Sequence, residues 1–432
     1  MIRGLAETVK AIQKKEISCE KLCSFYLERI REVGLRDGLN CVLTINENAL
    51  EEARAIDAMD QDELPLCGLT VLVKDNIDVK GMPTTAGSIA LKDNIAKEDA
   101  DIIRMLRDKG AVILGKTNMT EFANFLTQDM PNGYSSLGGQ VVSAYGREKD
   151  PSGSSSGSAV AMCARLCSFS VGTDTSFSVV GCATENGVVG FKPAAGRLSS
   201  KGIIPITQYF DSVGFFTASV EDMLYLFEAI FEDETIMSAR KRRLLVNDFN
   251  KQMVSIDQLG RYESTLSKLS DSGYEIDHTA GENTSKLKEL MTRCFALELQ
   301  AYLAAHGSNQ TIETIIDTYK QDMERYAPYG IEYLEKSNEY RLSPANGEAI
   351  KKICADMEAK RKTVLEELED YDACLMTGPT CMMHYVRIPS ISIPFAIDES
   401  DGLPRSMILY AKNENCLLDF ARVIKELKTY EE

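Results

Sequence analysis

The sequence predicts an α/β fold on three observations: apolar stripes at helical spacing, short β-branched runs of buried-strand type, and direct steps from one to the other. Residues 18 to 33 open on Ser18, a favourable N-cap, and place Leu22, Phe25, Tyr26 and Ile30 on one helical face. The run LTVLV from Leu69 reads as a buried strand that ends abruptly in Lys74, Asp75 and Asn76. A second helix is expected over 97 to 109, with Ile102, Ile103 and Leu106 inward, Gly110 as its stop, and the strand AVILG directly after. Residues 127 to 158 shift to Gly, Ser, Asn and Pro and read as a functional loop, followed by a helix from Ala159 to Leu166. From 219 to 370 the chain is charged and mostly helical, a cap or flank, with the basic run at 240 to 243 a solvated lead-in to a strand. Strands ACLMTG and PSISIPFAI and a helix over 415 to 428, with Leu417, Leu418, Ala421, Ile424 and Leu427 inward, close the chain. No repeat or linker divides it, so 1–432 reads as one domain.

A chain of 432 residues with 44% hydrophobic and 26% charged content is long enough to bury a large core. Its 48 Lys+Arg against 65 Asp+Glu give a net charge of -17, which disfavours nucleic acid and anionic lipid as partners. Twelve cysteines are scattered without a C-x-x-C pair and mostly among apolar neighbours, so they read as reduced core residues rather than metal ligands or disulfides. No stretch reaches the roughly 18 apolar residues of a membrane helix, and the N-terminal segment MIRGLAETVKAIQKKEI lacks the apolar run of a signal peptide. A cytoplasmic protein without a membrane partner is expected.

Three segments carry chemistry. Lys74 stands at the close of an apolar strand, where it either snorkels to solvent or is desolvated and loses its proton more readily. The turn from Ser152 to Ser158 gathers hydroxyls on a permissive backbone, as a reactive loop or a flexible linker would. In GTDTSFS, Gly172 to Ser178, a turn after a strand can aim backbone N–H groups at one point, the geometry an oxyanion needs, or be only a polar turn.

Taken together these segments resemble the amidase signature family over most of the chain. The stretch CGLTVLVKDNIDVKGMPTTAGS is similar to the family's lysine-bearing strand, DPSGSSSGSA to its serine-glycine motif and SVGTDTSFS to its nucleophile loop. GVVGFKPAAGRLSSKGIIP is similar to the family's segment on the C-terminal side of that loop. GKTNMTEFANF, NGYSSLGGQ and DPSGSSSGS resemble the bacterial peptide amidases more than the glutamyl-tRNA amidotransferase A subunits or fatty acid amide hydrolases. The resemblance implies one large domain with a central mixed, mostly parallel sheet flanked by helices on both faces. It also implies a hydrolase that cuts a carbon–nitrogen amide bond other than a peptide bond, through a Ser-Ser-Lys triad and an acyl-enzyme. Ser178 falls on the nucleophile, Ser154 on the bridging serine 24 residues before it, after a cis Gly153–Ser154 bond, and Lys74 on the base. The N–H groups of Thr175, Ser176, Phe177 and Ser178 would form the oxyanion hole, with Ser155 and Asp174 in support. No metal or organic cofactor is required, the substrate is a small-molecule or peptide amide, and a homodimer stays open.

Several positions depart from the family. Relatives usually carry glycine, or Asp-Gly in the peptide-amidase branch, at the two positions where this chain has Ser176 and Phe177, many carry arginine where it has Val180, and a proline-containing follow-on is replaced by Val180-Gly181-Cys182. If position 177 needs positive φ, phenylalanine adds about 1–2 kcal/mol of strain and shifts an oxyanion donor. These departures motivate a second reading, an amidase fold kept for binding or as an amidotransferase-like subunit. A third takes Gly153 to Gly157 as a G-x-S-x-G elbow with Ser155 as nucleophile, which would need one of only three histidines, at 278, 306 and 384. The polar, proline-ended approach to that turn is unlike the buried strand that precedes an elbow.

Overall fold

A computed structural model describes residues 4–428 apart from 36, 62, 232–235, 239 and 399–400. In chain order the strands are β1 (Val42–Ile45), β2 (Thr70–Lys74), β3 (Val112–Thr117), β4 (Tyr134–Ser135), β5 (Gly139–Gln140), β6 (Phe169–Asp174) and β7 (Val189–Lys192). After these come β8 (Ser212–Thr217), β9 (Arg243–Asn247), β10 (Glu275–Thr279), β11 (Ala373–Met376), β12 (Ser390–Ile397) and β13 (Pro404–Tyr410). Eleven of them form one mixed sheet in the order β1-β3-β2-β6-β8-β7-β12-β13-β11-β9-β10, and β4 and β5 pair apart from it. Parallel pairing is gathered in two blocks, β3-β2-β6 and β11-β9-β10. The middle strands β8, β7, β12 and β13 pair antiparallel.

Helices cover both faces, and the alternation of side chains along a strand shows it. In β9 Leu244 and Val246 enter one apolar cluster while Leu245 enters another; in β11 Ala373 and Leu375 oppose Cys374 and Met376. One cluster takes in Leu417, Leu418 and Ala421 of the helix Glu414–Lys428 and the other Leu290, Phe295 and Leu299 of the helix Lys286–Ala305. Residues 219–370, expected as a cap or flank, are mainly helical but also supply β9 and β10 at one edge of the sheet.

Local signals fall where the chain uses them. Ser18 caps the helix Cys19–Arg29 by accepting from the Lys21 N–H, and Gly110 comes after the helix Asp101–Asp108 at φ +91°. That helix begins four residues later than its apolar pattern predicts, because the preceding backbone is spent elsewhere. The Asp99 carboxylate accepts from the Lys80 N–H, and the Ala100 N–H donates to the Asp78 carbonyl. The helix expected from Ala159 starts already at Ser156. The basic run leads into β9 at Arg243, with Arg240 paired to Asp419. All twelve cysteines are free, most of them buried. Among the described residues no helix is long and apolar enough to cross a membrane, and no cluster of His, Cys, Asp or Glu is placed to hold a metal ion.

Candidate active site

The site lies where β2 and β6, neighbouring parallel strands, end together. Lys74 is the last residue of β2 and is fully buried, since β3 and β6 flank it on either side. Its Nζ lies 2.8 Å from Ser154 Oγ, 2.9 Å from Thr173 Oγ1 and 3.2 Å from the Thr173 carbonyl oxygen. No carboxylate touches it among the described residues. Nζ donates to all three oxygens, one hydrogen to each, and once the amine is deprotonated its lone pair takes the place of one of these donors. Burial lowers Lys74 to about 8, against the weaker pull of Cys182, Asp174 and Asp211 in the other direction.

Ser154 Oγ donates to Ser178 Oγ at 3.0 Å, and the Ser154 N–H donates to the same oxygen at 3.1 Å. Lys74, Ser154 and Ser178 therefore form one continuous hydrogen-bonded chain. The Gly153–Ser154 bond is cis. Glycine is demanded at two points of this loop: a Cβ on Gly157 would lie 2.2 Å from the Asn118 carbonyl oxygen, and one on Gly153 2.5 Å from Thr120 Oγ1. Ser155 turns away from the other two serines, donating to the Thr173 carbonyl at 3.0 Å and accepting from the Thr173 N–H at 3.3 Å. It locks the serine loop to β6, and the elbow reading with Ser155 as nucleophile falls with that commitment. His278 meets Asp248 and His306 meets Asp78; neither contacts Ser154, Ser155 or Ser178.

Ser178 sits in the turn from β6 to the helix Val180–Asn186. Asp174, at the end of β6, accepts through Oδ2 from the Val179 N–H at 2.7 Å. Phe177 adopts φ +63°, a region that charges a side-chain-bearing residue about 1–2 kcal/mol. Its N–H donates to His384 Nε2 at 3.1 Å and so does not face the space above Ser178. The N–H groups of Ser176 and Ser178 take no partner among the described residues. Thr175 Oγ1 donates to Asp211 at 2.6 Å, and burial raises that carboxyl to about 6.

Reading the sequence missed His384, Asp211 and the double role of Thr173. Thr173 lies inside the SVGTDTSFS segment; His384, 207 residues beyond Phe177, had only the scarcity of histidine to mark it. A cavity of about 420 Å³ opens beside the turn, with Phe177, Ser152 and Gly181 on one wall and Val254, Tyr262, Met376 and Ile408 on others. Another cavity, about 820 Å³, is lined by Asp78, Tyr302 and His306, and neither lining includes Ser154 or Ser178. The 420 Å³ cavity is the one that meets the turn, through Phe177 and Gly181.

A family model described as Amidase matches residues 21–388. The chain belongs to the amidase family. It is 38% identical over 237 residues to a probable amidase of Arabidopsis thaliana, a match covering 54% of this chain and 46% of that protein. The match thus spans less than half of that relative's length. Two solved structures cover 99% of the chain. An amidase family protein from Bacillus anthracis superposes with a TM-score of 0.87 at 29% identity over 91% of its own chain. A peptide amidase from Stenotrophomonas maltophilia does so at 0.85 and 26% over 97%. This amidase-family chain therefore shares with them its single α/β domain and large mixed sheet.

Proposed function

We propose that this protein hydrolyses a carbon–nitrogen amide bond through an acyl-enzyme on Ser178. The observation that carries the reading is the unbroken path from a buried lysine without a carboxylate partner through one serine hydroxyl to another. Neutral Lys74 takes the Ser154 proton as Ser154 takes that of Ser178, whose oxygen attacks the amide carbonyl. The N–H groups of Ser176 and Ser178, with that of Thr175, receive the oxyanion; one such donor is worth about 2.7–4 kcal/mol of barrier. The intermediate collapses, Ser154 protonates the departing nitrogen, and water hydrolyses the ester while the relay runs again. The 420 Å³ cavity, lined by Phe177, Met376, Ile408 and Val254 together with Glu185, Arg405 and Gln258, suits an amide with both an apolar and a polar part.

Ser178→Ala, Ser154→Ala and Lys74→Ala are each expected to abolish hydrolysis of a panel of primary amides while leaving cooperative unfolding intact. Retained turnover in Ser178→Ala would refute the mechanism. The Phe177 N–H held by His384 favours a second reading, a fold retained for binding. Under it, a serine-directed fluorophosphonate would fail to label Ser178 in the folded protein.

A further inference from the structure

We propose that His384, backed by Asp174, is a positioning residue that holds the nucleophile turn in its left-handed form. The inference rests on the reading of Ser178 as nucleophile for its effect on reactivity, but the brace is a property of the turn itself.

A phenylalanine at φ +63° does not stay there unaided, since the strain persists only where surrounding contacts over-determine it. Those contacts converge on one carboxylate. On the far side of Ser178, Asp174 Oδ2 accepts the Val179 N–H at 2.7 Å. On the near side His384 Nε2 accepts the Phe177 N–H at 3.1 Å. An imidazole that accepts at Nε2 carries its proton on Nδ1, and Nδ1 lies 3.2 Å from Asp174 Oδ1. Neither atom makes a well-aligned hydrogen bond among the described residues, to the other or elsewhere, so the contact is a close approach of a buried polar pair. Both shoulders of Ser178 thus lead to Asp174, one by a direct hydrogen bond and one through the His384 ring that stands against the carboxylate. The imidazole also packs edge-on against the Phe177 ring at 4.6 Å, so the side chain that strains the turn helps to seat its brace.

His384 and Asp174 are both fully buried, and the ring rides on the short helix Met382–Tyr385 after β11. The acceptor therefore cannot be replaced by solvent without opening the core. Burial holds the imidazole below its usual range, while Asp174, pushed up by burial, is brought below the ordinary carboxylate range by His384, Lys192 and the Val179 N–H. A neutral ring is what accepting the Phe177 N–H at Nε2 requires.

Two near-isosteric substitutions separate the roles. In His384→Gln the side-chain oxygen reaches the Nε2 position and can still take the Phe177 N–H; in His384→Asn the amide reaches only the Nδ1 position and serves Asp174 alone. We read amide hydrogen exchange of Phe177 and the second-order rate of Ser178 labelling by a fluorophosphonate. His384→Asn is expected to speed exchange and slow labelling by roughly tenfold each, the worth of one hydrogen bond, and His384→Gln to stay within about threefold of the parent. In a Phe177→Gly background, where positive φ carries no penalty, His384→Asn is expected to lose most of its effect on labelling. Equal behaviour of the Asn and Gln variants, or an undiminished effect in the glycine background, overturns the inference. Wild-type protein that resists labelling while the exchange pattern holds overturns the hydrolase reading and leaves the brace standing.

Discussion

At the scale of single residues, a depressed lysine pKa does not by itself name a base. Lys192 is buried like Lys74 and is likewise lowered by burial to about 8, yet among the described residues its Nζ donates only to the Ile388 and Pro193 carbonyls. Carbonyls cannot pass a proton on; the Ser154 hydroxyl can. Lys74 acts only when unprotonated, so kcat/KM is expected to rise about tenfold per pH unit below about 8 and level off above it. Lys192→Met is expected to cost about 1–3 kcal/mol of stability for the abandoned carbonyls and to leave the midpoint of that limb in place. A limb that vanishes in Lys192→Met, or a flat profile across pH 8 in the parent, contradicts the assignment. Legibility divides along the same line. Lys74, Ser154 and Ser178 are marked by the likeness of their segments to a family, since alone Lys74 reads as a snorkelling side chain and 172–178 as a polar turn; the structure brings the three side chains into contact. His384 is not marked, because its partner is a backbone N–H, and a backbone group leaves no residue type in the sequence to match against.

At the scale of elements, glycine shows how one residue type carries opposite instructions. Gly157 lies in the helix Ser156–Cys163 where Asn118 and Cys41 carbonyl oxygens come within 2.2 and 2.5 Å of its missing Cβ. Gly260 lies in the helix Ile256–Asp271 with nothing within 4 Å. Gly157→Ala is expected to prevent recovery of folded protein, since the obstruction is backbone and cannot yield. Gly260→Ala is expected to stabilise by about 0.5–1 kcal/mol, read as a higher urea midpoint with unchanged m-value. A folded, active Gly157→Ala would mean that the serine loop tolerates displacement, contrary to the close fit around Ser154. The apolar pattern starts this helix at Ala159, three residues late. Its first residues, Ser156 to Ser158, are poor helix interior but serve here as bonded groups, Ser156 Oγ to the Ser152 carbonyl and Ser158 Oγ to that of Val171.

Across the whole molecule, periodicity identified strands but not their neighbours, because a buried strand reads alike in either direction. The antiparallel middle of the sheet and the return of 219–370 to supply β9 and β10 depend on which faces pack, and that is decided far along the chain. Glu121 makes this long-range dependence measurable. It is fully buried, accepts from the Ser136 N–H and hydroxyl at 2.7 Å each, and takes the Tyr319 hydroxyl from the helix Ile312–Gln321. One carboxyl thereby fastens the helical flank to the loops around the site. Burial outweighs these donors and raises it from 4.5 to about 7. The native state therefore holds the Glu121 proton up to about pH 7, whereas the unfolded chain releases it near 4.5. The resulting stabilisation is complete below about 4.5 and is lost as pH rises towards 7, by about 3 kcal/mol in all. Glu121→Gln keeps the uncharged, protonated-like form at every pH, so it is expected to remove this slope. The test is urea unfolding of both proteins from about pH 4.5 to about 7, taking the difference in unfolding free energy at each pH so that other titrations cancel. A difference that does not change across the window shows that Glu121 is ionised in the fold, and that the flank is fastened by charge-assisted bonds instead of by a shared proton.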